Sequence, residues 1–519
     1  MNLWTRESLS EFVRTKLEGY KFIVVSNREP FQHQRVRARV ECVQSAGGLA
    51  SALNPVMQAC RGLWIAHGSG NADTQTVDRF DRVQVPPERP EYTLRRVWLS
   101  KRETNGHYSS LSNRGLWPLC HVAFRRPIFD PQDWATYRGV NERFAEAVLE
   151  EAGSDPTFVF IQDYHFALMP RILRNARSNL LIAQFWHIPW PNCEVFESFP
   201  WKAEILDGLL GNDLLGFHLQ QHCRNFLAAV DCSLEARTDE AGSIICRGGR
   251  STAVLPFPIS IDFDEHSRAA QSEAVAEHMG RWRRELSLEG KLLGVGIDRL
   301  DYTKGIPERL RFLDRLLQEH PEYRRNFVFV QIAEPSRSGL PEYKSLEREV
   351  DSLTARINRR WRTAFWRPIV LLKRHYSRPE MIALHRLAHV CVVSSLHDGM
   401  NLVAKEFAAS RVDEDGVLVL SKFAGAAREL KDALQINPFS IEEGAEACYA
   451  ALRMQPEERK RRMRRMRENL KQNNIYRWAG RFLSEWTKTE FPVNAGEEED
   501  AGQSSRGATL RPAELGVAV

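Results

Sequence analysis

The sequence predicts an α/β protein made of two Rossmann-like domains, each built around a parallel sheet. Three observations carry this reading. Apolar runs of strand length alternate with amphipathic stretches of helix length almost throughout, as parallel sheets require. The 519 residues exceed what a single hydrophobic core holds, so two domains are expected. The alternation also runs twice, and Pro256 and Pro258 mark the join, where proline disfavours helix and stiffens a short connector.

Each element follows from its own run. In the first series, Lys21–Ser26, Leu63–Ala66, Thr157–Ile161, Leu180–Phe185 and Leu214–Phe217 read as strands. Leu49–Cys60 and Gln220–Val230 read as helices between them. A connector is expected over Leu255–Phe263. The second series places strands at Leu292–Ile297, Phe327–Ile332, Ile369–Leu372, Val390–Ser394 and Val417–Leu420, with helices near Pro307–Gln318 and Leu402–Ser410. No short repeat is present. From Asn494 the composition turns to Gly, Ser and acidic residues, so 494–519 reads as a disordered tail.

Composition narrows the function classes. Lys and Arg total 72 against 67 Asp and Glu, a net charge of only +5, too weak a field to imply nucleic-acid binding. Mean hydropathy is −0.41, and no apolar stretch approaches the ~18 residues of a membrane helix. The first residues carry Arg6, Glu7, Glu11, Arg14 and Lys16 without an apolar signal core. Nine cysteines without a CxxC pair do not suit a disulfide framework. A cytoplasmic protein is expected, without membrane or nucleic-acid partners; a homo-oligomer stays open.

Polar residues gather where the strands end. After Leu292–Ile297 come Arg299 and Lys304. In open α/β sheets ligands sit beyond the carboxyl ends of strands, and two cations there can clamp a diphosphate. Ion pairing with Asp298 and Asp301 is the plainer alternative. Val390–Ser394 leads into His397-Asp398-Gly399-Met400-Asn401 and then a helix. The free N–H groups of Asn401, Leu402 and Val403 would make an anion site. Glu406, one turn on, could accept from a ribose diol. Against this, Asp398 could be a helix cap and Glu406 an exposed helix residue. Paired with Arg299 and Lys304, a nucleotide-diphosphate site is the better reading.

The first series offers Ser26-Asn27-Arg28-Glu29-Pro30 after its opening strand. Gly47 and Gly48, before the helix Leu49–Cys60, would let backbone amides approach a phosphate. Gln162-Asp163-Tyr164-His165 and Trp186-His187-Ile188-Pro189 are two further strand ends that suggest a cleft. Three features point elsewhere. Asp262 and Asp264 spell a DxD metal motif but fall in the connector, so no metal is assigned. His218, His222 and Cys223 lack a second ligand pair for zinc. The basic run Arg459–Arg467 follows Glu457 and Glu458 and reads as a solvated helix face.

Together the strings SNREP (Ser26–Pro30), SAGGLA (Ser45–Ala50), RLDYTKGIPER (Arg299–Arg309), DGMNLVAKEF (Asp398–Phe407) and LSKFAGAARELKDALQINPF (Leu420–Phe439) resemble the trehalose-6-phosphate synthase family of nucleotide-sugar glycosyltransferases, from about Phe22 to Phe491. The resemblance implies the GT-B fold: two Rossmann-like domains facing across a cleft, with a C-terminal helix near Ile475–Lys488 returning to the first. It divides the chain into an acceptor domain (1–257), a donor domain (258–474), a crossover helix (475–493) and the tail.

The same resemblance assigns roles. Arg299 and Lys304 would hold the donor diphosphate with the Gly47 N–H, and Glu406 the ribose. Asp398 and His187 would orient the donor glucose. Arg28, Tyr108, Trp117 and Arg337 match acceptor-side residues, with Asp163 near the acceptor sugar. Departures are Gln162 for the usual His, His397 for the usual Arg, and a longer loop at Phe31–Val43 beside the acceptor site. Trp186–Asn192 and Leu206–Leu227 look most like a branch that includes glucosylglycerol-phosphate synthases. The implied activity is retaining transfer of glucose from a nucleoside diphosphate glucose, with UDP-glucose favoured, to glucose-6-phosphate. No cofactor or metal is implied. Glycerol-3-phosphate as acceptor with ADP-glucose, and a silent sugar-phosphate sensor, are the alternatives.

Overall fold

The computed structural model describes residues 3–37, 39–44, 48–239 and 243–488. Its first sheet contains β1 (Lys21–Arg28), β4 (Leu63–His67), β5 (Arg82–Val85), β6 (Tyr92–Val97), β7 (Thr157–Gln162), β8 (Leu181–Phe185), β9 (Leu214–Phe217), β10 (Arg237–Asp239), β11 (Ile244–Arg247) and β12 (Arg250–Pro256). The order is β10-β11-β12-β9-β8-β7-β1-β4-β6-β5. From β12 to β6 every pairing is parallel. Antiparallel strands close both edges. The second sheet is parallel throughout: β13 (Leu292–Arg299), β14 (Phe327–Glu334), β15 (Ile369–Leu372), β16 (Val390–Val393), β17 (Val417–Ser421) and β18 (Leu434–Ile436), in the order β15-β14-β13-β16-β17-β18.

The central strands are apolar on both faces because helices cover both. Along β7, Val159 and Ile161 join a core with Phe144 and Val148 of the helix Pro131–Ala152. Phe158 and Phe160 face the other way, onto Phe482 and Trp486 of the helix Ile475–Trp486, with ring centroids 4.5–4.9 Å apart. That last helix also holds the connector. Ile475 N–H donates to Ile261 O at 3.0 Å, Trp478 Nε1 to Phe257 O at 3.2 Å and Tyr476 Oη to Asp262 at 2.6 Å. The C-terminal helix therefore returns to the first sheet, as the GT-B arrangement requires.

Strand order locates the crevices. β1 lies between β4 and β7, and β13 between β14 and β16, so each sheet reverses its direction of growth at its first strand. In open α/β sheets ligands bind beyond the carboxyl ends of the strands at such switch points. Arg28 and Arg299 stand at the ends of these two strands.

Several boundaries differ from the sequence reading. The longer loop at Phe31–Val43 contains a separate β-hairpin, β2 (Phe31–Val36) paired with β3 (Arg39–Gln44). A buried ionic knot roots it: Arg96 bonds Glu29 at 2.9 Å, Asp73 at 2.9 Å and Phe31 O at 3.2 Å. Leu255 and Pro256 end β12, whereas Phe263 opens a helix, so the connector proper is shorter. Pro256 has no N–H to donate, and pairing to β9 resumes at the next residue, where Phe257 N–H donates to Phe217 O at 2.6 Å. Tyr108 lies in a wide-turned π-helix, Asn105–Leu116. Gly47 and the tail 494–519 lie outside the described residues. Among the described residues no helix is long and apolar enough to cross a membrane.

Candidate active site

The second sheet supplies one wall. Lys304 Nζ donates to Asp398 Oδ2 at 2.5 Å, and Ser395 Oγ and Asn401 Nδ2 reach the same oxygen at 3.2 Å. Burial alone would raise the Asp398 carboxyl, but the Lys304 ammonium overrides it and holds the group well below the usual range. Asp398 is therefore ionised and is no helix cap. Asn401 caps instead, accepting from Ala404 N–H at 3.1 Å, with its backbone at φ 77°. Its neighbours Leu402 and Val403 open the helix Leu402–Ser410. Glu406 is not exposed; burial raises its carboxyl against the pull of Arg378.

Two glycines set how tightly these loops close. A Cβ on Gly305 (φ 62°) would stand 2.1 Å from Ser394 O. One on Gly399 would stand 2.5 Å from His187 O, so the two walls meet there backbone to backbone.

The anticipated ion pairs are reassigned. Asp298 pairs with Arg309 at 2.7 Å, and Asp301 with Arg337 at 2.9 Å. Tyr343 Oη completes the second pair, donating to Asp301 at 3.1 Å. Among the described residues the Arg299 guanidinium has no hydrogen bond or ion pair. It lies 5.8 Å from the Trp117 ring, and Arg337 stacks on the same ring at 4.3 Å.

The first sheet supplies the opposite wall. Asp163 follows β7 at φ 69°, a conformation rare outside glycine and found at strained functional positions. Its carboxylate accepts from His187 N–H at 3.1 Å. Burial pushes it up to about 7. His187 is driven by burial down to about 3 and is neutral; its Nε2 lies 2.9 Å from Gln162 Oε1. Gln162 thus takes up the histidine ring that the loop presents. His165 stacks between Tyr108 and Tyr164, at 5.6 and 4.2 Å.

Tyr108 reports how the walls combine. Burial would raise its phenol, but the guanidiniums of Arg337, Arg28 and Arg299 outweigh burial and bring it down to about 8. Three cations from two sheets therefore converge on one hydroxyl. Such a concentration of positive charge suits a phosphate. Contacts the sequence reading missed hold the walls together: Arg114 pairs with Glu342 at 3.0 Å, and His397 Nδ1 lies 2.9 Å from His121 O. No local pattern could have flagged them, because each pair is separated by more than two hundred residues.

The remaining motifs take other places. Asp262 caps a helix through Glu265 N–H at 3.0 Å and binds Tyr476. His218 bonds His187 O at 2.9 Å. The basic run is not a bare solvated face: Arg459 pairs with Asp415, Arg464 with Glu414, and Arg467 reaches Ala408 O and Ala409 O.

Residues 20–488 match the model of glycosyltransferase family 20. A trehalose-6-phosphate synthase from Mycolicibacterium vanbaalenii is 39% identical over 474 residues, covering 90% of this chain and 95% of that protein. A bifunctional trehalose-6-phosphate synthase/phosphatase from Thermoproteus tenax is also 39% identical, but this chain spans only 63% of its length. Among solved structures, an α,α-trehalose-phosphate synthase (UDP-forming) from Burkholderia xenovorans in complex with glucose-6-phosphate is 31% identical with TM-score 0.81, covering 90% of this chain and 99% of that one. An E. coli structure bound with UDP-2-fluoro glucose is 30% identical with TM-score 0.80, over 90% and 99% of the two chains.

Proposed function

The chain belongs to glycosyltransferase family 20, and from that premise we propose that it transfers glucose from a nucleoside diphosphate glucose, UDP-glucose favoured, to glucose-6-phosphate. The product is α,α-trehalose-6-phosphate, formed with retention at the anomeric carbon. The observation that carries a phosphorylated acceptor is Arg337, stacked on Trp117 at 4.3 Å, acting with Arg28 on the Tyr108 phenol from the two sides of the cleft. Relatives named for this synthesis, and a neighbour holding glucose-6-phosphate, support it.

The residues divide by wall. Lys304 and the uncommitted Arg299 meet the donor diphosphate, with the helix start at Leu402 and Val403 and the amides near Gly47 and Gly48. Glu406 takes the ribose. Asp398, held ionised, and neutral His187 accept and donate to the glucose hydroxyls. Arg28, Arg337, Tyr108 and Trp117 hold the phosphorylated acceptor. Asp163 faces the acceptor sugar.

As the glycosidic bond breaks, charge grows on the leaving phosphate oxygen, where Arg299 and Lys304 stabilise it. That oxygen takes the proton of the attacking hydroxyl on the same face, so retention follows without an enzyme nucleophile. No metal is assigned to the step, because the two cations supply the countercharge. The acceptor domain is taken as 1–257, the donor domain as 258–474, and 475–493 as the segment returning between them.

The test is a matrix of UDP-, ADP- and GDP-glucose against glucose-6-phosphate and glycerol-3-phosphate, with products identified by mass. A disaccharide phosphate from UDP-glucose and glucose-6-phosphate is expected. Turnover of glycerol-3-phosphate alone replaces the acceptor assignment, and binding without any product replaces catalysis by sensing.

A further inference from the structure

Cys193 is the first residue of the short helix Cys193–Phe196, directly after the segment His187–Asn192. Cys232 lies near the end of the helix Gln220–Ser233. The two segments are braced on both sides of this pair. Asn225 Nδ2 donates to Trp190 O at 2.9 Å, and the rings of Trp190 and Phe226 lie 4.8 Å apart. Beyond it, Ser233 Oγ donates to Glu197 Oε1 at 2.9 Å. These braces set Cys193 and Cys232 side by side, and burial and then the neighbouring Cys232 thiol push the Cys193 thiol up to about 11. The buried thiols Cys60, Cys120, Cys223, Cys391 and Cys448 differ, since burial is the main cause of their rise and no second thiol contributes to it. Cys232 is exposed and Cys193 half-buried. Among the described residues no third ligand completes a metal site here.

We propose that Cys193 and Cys232 form a reversible dithiol–disulfide modification site that fastens the segment carrying His187 to the helix Gln220–Ser233. The co-reactant is a low-molecular-weight disulfide such as oxidised glutathione. The exposed Cys232, as thiolate, attacks one sulfur and expels a glutathione thiolate, leaving a mixed disulfide. Cys193, after losing its proton, attacks Cys232 Sγ and expels the second glutathione. One sulfur–sulfur bond breaks and one forms, the two thiol protons pass to the released glutathiones, and the protein loses two electrons.

The experiment equilibrates the full chain with graded mixtures of reduced and oxidised glutathione, alkylates the remaining thiols and maps the peptides. A linked peptide joining Cys193 to Cys232, lighter by two hydrogens and released by dithiothreitol, is expected. The oxidised protein should melt higher by roughly 3–6 °C, as a closed loop restrains the unfolded chain, and Cys232→Ser should show no such rise. Separate alkylation of both thiols across the series overturns the site, as does a glutathione adduct at Cys232 that never passes to Cys193. Equal melting temperatures of the two forms overturn the fastening. None of these readouts requires substrate, so they stand apart from the glucosyl-transfer reading.

Discussion

The two walls of the cleft reach their charge states by opposite routes. On the second sheet, three buried carboxylates near the donor cations have an opposite charge within hydrogen-bonding distance: Lys304 for Asp398, Arg337 for Asp301, Arg309 for Asp298. On the first sheet, burial decides, so Asp163 rises and His187 and His165 stay neutral. The exception is Tyr108, which is pulled down by Arg28 and by two guanidiniums of the second sheet's side, Arg337 and Arg299. A close countercharge outweighs desolvation at Asp398 and Asp301, whereas at Asp298 burial still raises the carboxyl despite Arg309, and on the first wall the low dielectric wins. The first wall thus offers shape and neutral hydrogen bonds, and its positive field is completed only when the second wall is in place.

The sharpest break of this contrast is at the donor cations. Arg299→Ala or Lys304→Ala should lower kcat by roughly 10²–10³-fold, the cost of removing one preorganised group at a developing charge. Near-normal single-turnover rates in both variants would show that the second wall's charge is not used in the chemical step.

Arg337→Ala comes next. It should raise the acceptor KM by roughly 10–100-fold, the worth of one or two charge-assisted bonds, while leaving the donor KM nearly unchanged. Because Asp301 would lose a buried partner, the variant should also melt lower. Equal increases in both KM values would place Arg337 with the donor.

A third effect reads the coupling of the walls directly. Above pH ~8 the Tyr108 phenol, lowered by the guanidiniums, loses its proton, and a phenolate repels a phosphate dianion. The wild-type acceptor KM should therefore climb above that pH, and Tyr108→Phe should flatten the profile. A climb that persists in Tyr108→Phe would assign the titration elsewhere.

A smaller effect is expected from Asp398→Asn. Since the folded carboxyl is depressed, its contribution to stability is present above the ordinary carboxylate value and is lost as pH falls through the folded one. The melting-temperature gap to wild type should be roughly 2–4 °C at neutral pH and should narrow below pH ~4. A gap independent of pH would mean packing, not charge. Truncation after Pro492 should leave kcat and melting temperature unchanged, since a polar, acidic composition buries no core; a loss of either would mean that the tail docks.

Much of this architecture was legible one strand at a time. Continuous apolar runs such as TFVFI and LLGVGI mark strands covered on both faces, and the chemistry follows at their ends, so Arg299, Lys304 and Asp163 could be named from position alone. The hairpin Phe31–Gln44 was not legible, because only Phe31 and His33 of its polar, charged strands are buried and it is rooted by Arg96 sixty residues on. The partners of Asp298 and Asp301 are hidden for the same reason: adjacent cations offer a pairing, yet the ones that bind are Arg309 and Arg337, while Asp398, readable as a helix cap, meets Lys304 across ninety-four residues.

By itself the sequence determined which segments become strands, where each sheet ends in polar residues, and which family's strings the chain carries, because hydrophobic period and glycine placement are local properties. Only the tertiary structure decided which charges neutralise one another and which remain for a ligand. Charge state depends on burial and on neighbours within a few ångströms, and those neighbours are set by the order of strands in two sheets. Arg299 and Asp301 are two residues apart in the chain, yet one is left uncommitted at the mouth of the cleft and the other is locked beneath it by Arg337 and Tyr343.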